Sequence, residues 1–505
     1  MFDTLFERNF IPWKFYPKRA VFEPGRDGTY RGPRKEITKL TLVLKKPDPE
    51  TLLRPLAGSV DESYELALNT DGTATIAANS TIGLVRGLTT MTQLFFKHSD
   101  GQVYTKLAPV KIFDAPKFPH RGLNMDVSRS YYPVKDIKRQ IDALGYTKFN
   151  RLHLHITDSQ SWPLVIPDLP WLTWKGAYQY DMIYTPTDIS DIQYYAALHG
   201  ISVVIETDMP GHTTSIGYGY PNLITAFEED DWATYAAQPP SGTLKLNSQE
   251  VFVFLEKLWN DLLPRLKPLS AYYHTGGDEV NKNAYRFDET VNSSDPAVLQ
   301  PYMQSFVNFN HDAVRHAGMV PIVWEEMLLE WNLTLGRDVV VQTWQSSAAV
   351  QQVVAKGHKA LVGNYNFWYL DCGQGQWIDF PPDSSEGFWP YADYCSPRKN
   401  WRLIYSLDPL DGIPANQTHL VIGGEAHIWG EQTDAVNVDR MVWPRAAAVA
   451  EVLWSGAKDA EGRNRSQVEA SPRLAEMRER LVTRGVGSEP VHMPYCTMED
   501  KGCIW

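Results

Sequence analysis

The strongest constraint on this chain is an alternation. From about residue 120 onward, eight short apolar runs recur, with longer helical patterns in most of the gaps. The runs are 122–128 (GLNMDVS), 149–157 (FNRLHLHIT), 201–207 (ISVVIET), 271–277 (AYYHTGG), 320–325 (VPIVWE), 338–344 (DVVVQTW), 359–365 (KALVGNY) and 419–425 (HLVIGGE). Between them, 133–145 carries Ile137, Ile141 and Leu144 at helical spacing, and 250–266 and 435–453 have the same character. Eight strand-then-helix units predict an α/β fold, a (β/α)8 TIM barrel. The connection from about 366 to 418 is long and rich in Trp, Tyr, Pro and Gly, which predicts a functional loop rather than a helix.

Residues before the barrel follow another pattern. The stretch 37–45 alternates toward its end, 64–77 reads as a hairpin turning at Asp71-Gly72, and Leu84, Leu88, Met91 and Phe95 recur at helical spacing. This predicts a small α+β domain over 1–115, with the Pro-containing segment 114–119 at the boundary and the barrel over 116–505. A length of 505 residues suits one large barrel plus a small extra domain.

Composition narrows the function classes. The net charge of −12 argues against a nucleic-acid partner, which a basic footprint would announce. No run of 18 apolar residues predicts a membrane span. The opening MFDTLFERNF has no basic segment followed by an apolar one, so no signal peptide is expected in the chain as it stands. Cys372, Cys395, Cys496 and Cys503 form two local pairs, compatible with two disulfides or with four reduced thiols. Five N-x-S/T sites, at Asn79, Asn292, Asn332, Asn416 and Asn464, tilt the balance toward the secretory pathway or the extracellular space.

A barrel performs its chemistry at the C-terminal ends of its strands. Here those ends carry Arg129, then His155 and Asp158, then Glu206, Asp208 and His212, then Asp278 and Glu279. Trp324 and Trp344 follow, then Tyr369 and Asp371, and finally Trp429 and Glu431. Adjacent strand residues point to opposite faces, so Asp278 and Glu279 can serve one site only where the strand gives way to a loop. Gly276 and Gly277 ease that turn. A solvated acidic pair at a loop start is the plainer reading of the same residues. His153 and His155 alternate with Leu152, Leu154 and Ile156; they fit core histidines, or a metal site completed by Asp158, His212 and Asp278. Pro210-Gly211 could present His212 at the rim, where a His beside a carboxylate tunes a general acid. Glu425 and His427 read as structural. Most of the 17 tryptophans are packing, but Trp324, Trp344 and Trp429 stand at strand ends, where aromatic faces could stack on sugar rings.

At these residues the chain resembles the β-N-acetylhexosaminidases of glycoside hydrolase family 20, in their fungal type. HRGLNMDVSR (120–129), LHLHITDSQSWP (152–163), HTGGDEV (274–280), WYLDCG (368–373) and GGEAHIWGE (423–431) are similar to the family's motifs. The resemblance spans nearly the whole chain. It implies that Glu279 is the general acid/base, that Asp278 orients the substrate's 2-acetamido group, and that Tyr369 hydrogen-bonds its carbonyl. It further implies that Trp324, Trp344 and Trp429 enclose the sugar. Arg129, His155, Asp371 and Glu431 would bind substrate, with Asp158 and His212 supporting Glu279. Many relatives carry a second acid after the position of Asp158, where this chain has Ser159. The Cys372/Cys395 and Cys496/Cys503 pairs sit where such relatives tend to be bridged.

The implied activity is exo-hydrolysis of terminal β-linked GlcNAc or GalNAc, with an N-acetylated oligosaccharide or glycan as partner. No metal and no cofactor is expected; a homodimer through the barrel is the assembly many relatives form. The family belongs to the substrate-assisted exceptions among retaining glycosidases, in which the substrate's acetamido oxygen replaces an enzyme nucleophile. Two competing readings are a metal-dependent barrel hydrolase using His153, His155 and His212, and an inactive barrel that binds N-acetylated glycans.

Overall fold

The structure is a computed structural model, and it describes residues 10–12, 23, 36–373, 398–498 and 503. Eight strands form the barrel: His120–Asp126, Arg151–Thr157, Ser202–Thr207, Tyr272–His274, Val320–Trp324, Val340–Thr343, Lys359–Val362 and Val421–Ile428. Each pairs in parallel with the next, and the eighth pairs with both the seventh and the first, so the sheet closes on itself. The short strand Tyr369–Asp371 adds to the rim of the eighth.

The alternation within the second strand shows how the barrel sorts its residues. Leu152, Leu154 and Ile156 join the apolar cluster that includes Ile137, Ile141 and Leu144 of the helix Val134–Tyr146. Burying each such side chain contributes about 2 kcal/mol. His153 and His155 point the other way, into the barrel. There register creates a polar belt: Asp126 aligns with His155, His155 with Glu206, and Glu206 with His274. Every one of these four is buried.

Ahead of the barrel, strands Lys39–Leu44, Tyr64–Leu68, Thr73–Ala78 and Val110–Asp114 form a four-stranded sheet. The middle two form an antiparallel hairpin around Asp71-Gly72. Tyr64, Leu66, Leu68, Ala74 and Ile76 are buried beneath the helix Thr81–Gln93, together with Trp454 from the last barrel helix. An ionic cluster stands between this sheet and the closed end of the barrel. Glu62 accepts from Arg86 Nε at 2.9 Å, Arg121 Nη2 at 2.6 Å and Asn150 Nδ2 at 2.9 Å. Burial would raise the Glu62 carboxyl, but the two guanidiniums hold it down at about 2.

Three expectations shift. The expected helix 435–453 is two helices, Val438–Val442 and Arg445–Ser455, because Pro444 between them cannot donate the N–H that continuity requires. The fourth strand ends at His274 rather than 277, since Gly276 and Gly277 have φ of +71° and +106°. The eighth strand runs on to Ile428, past the expected 425. Cys496 and Cys503 are bonded to each other. Cys372 is also disulfide-bonded, and Cys395, its expected partner, lies outside the described residues, as does the stretch 374–397 of the expected functional loop.

Candidate active site

The fourth strand delivers the acids through a backbone bend. Gly276, Gly277 and Glu279 all have positive φ, Glu279 at +52°. Such a conformation costs a non-glycine residue on the order of 1–3 kcal/mol, and it persists where surrounding contacts over-determine it. A Cβ on Gly276 would lie 1.9 Å from Asp208 Oδ1, so only glycine fits. Asp208 in turn accepts from Gly277 N at 2.7 Å, which pins the bend to the third strand's extension.

Asp278 and Glu279 leave this bend for different surroundings. The Glu279 side chain is 32% exposed, and its Oε2 lies 3.4 Å from His212 Nε2. A cleft of about 250 Å³ in front of it is lined by His212, Ser159, Gln238 and Asn281, among others. Asp278 lies with Asp208 and His212, their polar atoms within 4.8 Å of one another. Burial pushes both carboxyls upward: Asp208 well above the usual range, with the Asp278 charge adding to the rise, and Asp278 upward with Glu279 and Glu206 adding and His212 and Asp208 opposing. Two buried carboxyls this close resist ionising together, and Asp208 is the one held more strongly toward its neutral form.

Behind His212 runs the support that the chain builds from its second strand. Asp158 receives His212 Nδ1 at 3.0 Å, His155 Nε2 at 2.7 Å and Arg129 Nη2 at 2.9 Å. Burial would raise Asp158, but Arg129 and His212 hold it well below the usual carboxylate range. Ser159, where relatives carry an acid, receives a hydrogen bond from Thr214 Oγ1 at 3.2 Å. His155 is 1% exposed and both its nitrogens face carboxylates, Glu206 at 2.7 Å as well as Asp158. It has no atom left for a sugar hydroxyl, so the substrate-binding role expected for it gives way to a supporting one.

The aromatic residues form a cluster of their own. Trp324, Tyr369 and Trp429 are buried together, with Trp344 partly buried against them. Trp344 and Tyr369 stack at 6.2 Å and 16°, and Trp429 lies 6.0 Å from Tyr369 and 6.3 Å from Trp324. Trp324, fully buried, is the floor; its Nε1 donates to Glu206 Oε1 at 2.7 Å. Trp344 is braced by two acids, donating from Nε1 to Glu326 at 2.8 Å and from its backbone N to Glu325 at 3.0 Å. Burial pushes Glu325 up to about 7, and burial with the nearby Asp278 and Glu325 charges raises Glu326 well above the usual carboxylate range.

Arg129, Asp371 and Glu431 stand at the same rim. Arg129 bonds Asp126 at 3.0 Å, lies 3.8 Å from Glu431 and rests over the Trp429 ring at 5.2 Å. Glu431 accepts from Gln238 at 2.9 Å, and Asp371 accepts from Thr433 Oγ1 at 2.6 Å. Reading along the sequence missed Asp126, Gln238, Glu325 and Glu326, and gave Glu206 and Asp208 no role. The adjacent acids after Trp324 were a visible signal; the others gain meaning only from their partners.

Among the described residues, three groups have the atoms to hold a cation: His153, Glu206 and His274; His155, Glu206 and Asp208; and Asp208, His212 and Asp278. The expected trio of His153, His155 and His212 is not among them. In the first two groups His153 and His155 each already have a ring nitrogen within 3.0 Å of Glu206.

Residues 118–457 match the family model "Glycosyl hydrolase family 20, catalytic domain", and residues 1–94 match "beta-acetyl hexosaminidase like". The chain is 42% identical to the beta-hexosaminidase of Arthroderma benhamiae, over 99% of this chain and 83% of that one. It is 31% identical to the chitooligosaccharidolytic beta-N-acetylglucosaminidase of Ostrinia furnacalis, over 88% of this chain and 75% of that one. The crystal structure of Flavobacterium johnsoniae chitobiase superposes with a TM-score of 0.72 at 24% identity, covering 95% of this chain and 73% of that one. Barrel, acid pair and relatives together define a glycoside hydrolase. The chain belongs to glycosyl hydrolase family 20.

Proposed function

We propose that this enzyme is an exo-acting β-N-acetylhexosaminidase that releases terminal β-linked GlcNAc or GalNAc with retention, using the substrate's acetamido group. The observation that carries the reading is Asp278. It is buried beside Glu279, takes no N–H hydrogen bond from the described residues, and has Asp208 as its carboxyl partner. A carboxyl acceptor so placed suits an acetamide N–H.

The residues then divide the reaction. Trp324, Trp344, Trp429 and Tyr369 hold the acetamido group against the anomeric carbon, which raises the effective concentration of its oxygen. Asp278 accepts the acetamide N–H and stabilises the positive charge of the oxazolinium-like intermediate. Glu279 gives its proton to the departing glycosidic oxygen, then removes one from the incoming water. Arg129, Asp371 and Glu431 hold ring hydroxyls. Residues 1–115 serve as a scaffold, and 116–505 carry the chemistry. The two bonded cysteine sites and the exposed Asn292, Asn332, Asn416 and Asn464 favour an extracellular or secretory setting.

Proton NMR of the first product from a β-aryl N-acetylglucosaminide tests the reading. The β-anomer should appear first, and a thiazoline mimic of the intermediate should inhibit strongly. An initial α-anomer would sink the proposal.

A further inference from the structure

The support behind Glu279 does not stop at Asp158. It continues through the barrel interior as a string in which imidazole and carboxylate alternate. His155 Nδ1 lies 2.7 Å from Glu206 Oε2, which lies 3.0 Å from His153 Nε2. His153 Nδ1 lies 2.9 Å from Glu425 Oε2, and Glu425 Oε1 lies 2.7 Å from His120 Nε2. Every one of these groups is buried. Glu206 is the junction, since it also takes Trp324 Nε1 at 2.7 Å and stands 3.1 Å from His274 Nδ1.

Charge balance assigns Glu206 a task. A histidine with a carboxylate on each nitrogen must carry both protons, so His155 is an imidazolium. Asp158 would then face three cations, Arg129, His155 and His212, with a single charge. Asp126 and Glu431 share Arg129. Glu206 shares His155, which leaves Asp158 free to hold His212. His274 cannot take over this part, because its Nδ1 accepts from Gly276 N at 3.0 Å and is not protonated.

We propose that Glu206 is a positioning residue for the reaction: through His155 and Asp158 it fixes the orientation and charge of His212, and so the proton chemistry of Glu279. The proposal rests on Glu279 being the acid and base. The other charges around Glu206 are His153 and His155 from the second strand, His274 from the fourth, and Glu425 and His427 from the eighth; Asp208 and Asp278 lie beyond its own strand end. Around His212 they are Asp158, Asp208, Asp278 and Glu279.

Glu206→Gln removes one buried negative charge while keeping an acceptor for Trp324. His155 should keep its proton against Asp158 and draw on that carboxylate alone. The upper limb of the kcat/KM profile should then move down by about one pH unit, because an anion in the string raises the pKa values of its neighbours. Turnover of chitobiose, whose departing sugar is a poor leaving group, should fall at least about tenfold. An activated aryl glycoside should suffer less, and KM should change little. An unmoved limb with equal losses on both substrates would mark Glu206 as merely structural and overturn the proposal. Glu279→Gln is assayed alongside: if it still cleaves chitobiose well, the acid assignment fails and this proposal with it. Should Glu206→Gln not fold, imidazole nitrogen NMR of the wild-type enzyme decides. A doubly protonated His155 at neutral pH supports the proposal, and a neutral one overturns it.

Discussion

Asp208 and Asp278 come from positions 70 residues apart and meet in a buried site, where burial and the Asp278 charge push the Asp208 carboxyl well above its ordinary range. Asparagine is the nearest mimic of a protonated Asp208. Its Nδ2 would donate to Asp278 as the O–H does, and its Oδ1 would still accept from Gly277 N. Asp208→Asn should therefore keep kcat/KM within about threefold of wild type, whereas Asp208→Ala should lower it about 10- to 100-fold, the worth of a hydrogen bond to a charged group. A chromogenic N-acetylglucosaminide assay near neutral pH, with a thermal melt of each variant, checks both. Equal losses would mean that Asp208 acts by shape rather than by its proton. The adjacency of Asp278 and Glu279 was legible in the chain. The buried carboxyl beside Asp278 was not, because electrostatic coupling depends on distance in space.

The bend after the fourth strand is the element that makes the acid pair possible. Positive φ at Gly276, Gly277 and Glu279 lets neighbouring side chains leave the backbone into one site. Gly276→Ala would place a Cβ inside Asp208, 2.4 Å from its Cα, at a φ that disfavours any side chain. The bend must then move. A shift of about 1 Å at the acids costs on the order of 100-fold in rate. The expected result is a folded protein with a lowered melting temperature and at least that loss of kcat/KM. Near-normal activity would show that the bend tolerates a second solution. The two glycines announced this turn in the sequence. The end of the strand at His274 and the break at Pro444 are cases where local backbone chemistry overrode a longer apolar pattern.

At the scale of the molecule, Glu62 ties the N-terminal sheet to the barrel through Arg86, Arg121 and Asn150. Its folded pKa, about 2, lies below the ordinary value of 4.5. A depressed carboxylate contributes stability that is fully present above the unfolded pKa and is lost as pH falls toward the folded one. That contribution is about 3 kcal/mol, and removing one member of a buried ion cluster costs roughly 3–5 kcal/mol. Glu62→Gln should therefore lower stability by several kcal/mol at pH 6, measured by denaturant melts. Its deficit against wild type should shrink between about pH 4.5 and 2. A deficit independent of pH would show that the loss is one of packing.

By itself, the chain determined the barrel, its small companion and the polar rim; the class of chemistry was implied by the resemblance of its motifs to a family. The first three are legible because side-chain periodicity follows directly from backbone geometry, and because barrel chemistry is confined to strand ends. Only the tertiary structure decided which buried charges answer one another. His155, expected at the sugar, was turned inward by register to stand between Glu206 and Asp158. Trp324 became a floor and Trp344 a braced wall. Periodicity tells which face of a strand a residue occupies, but whether a carboxylate there is bare, paired or sharing a proton is set by groups hundreds of residues away, a few ångströms off in the closed barrel.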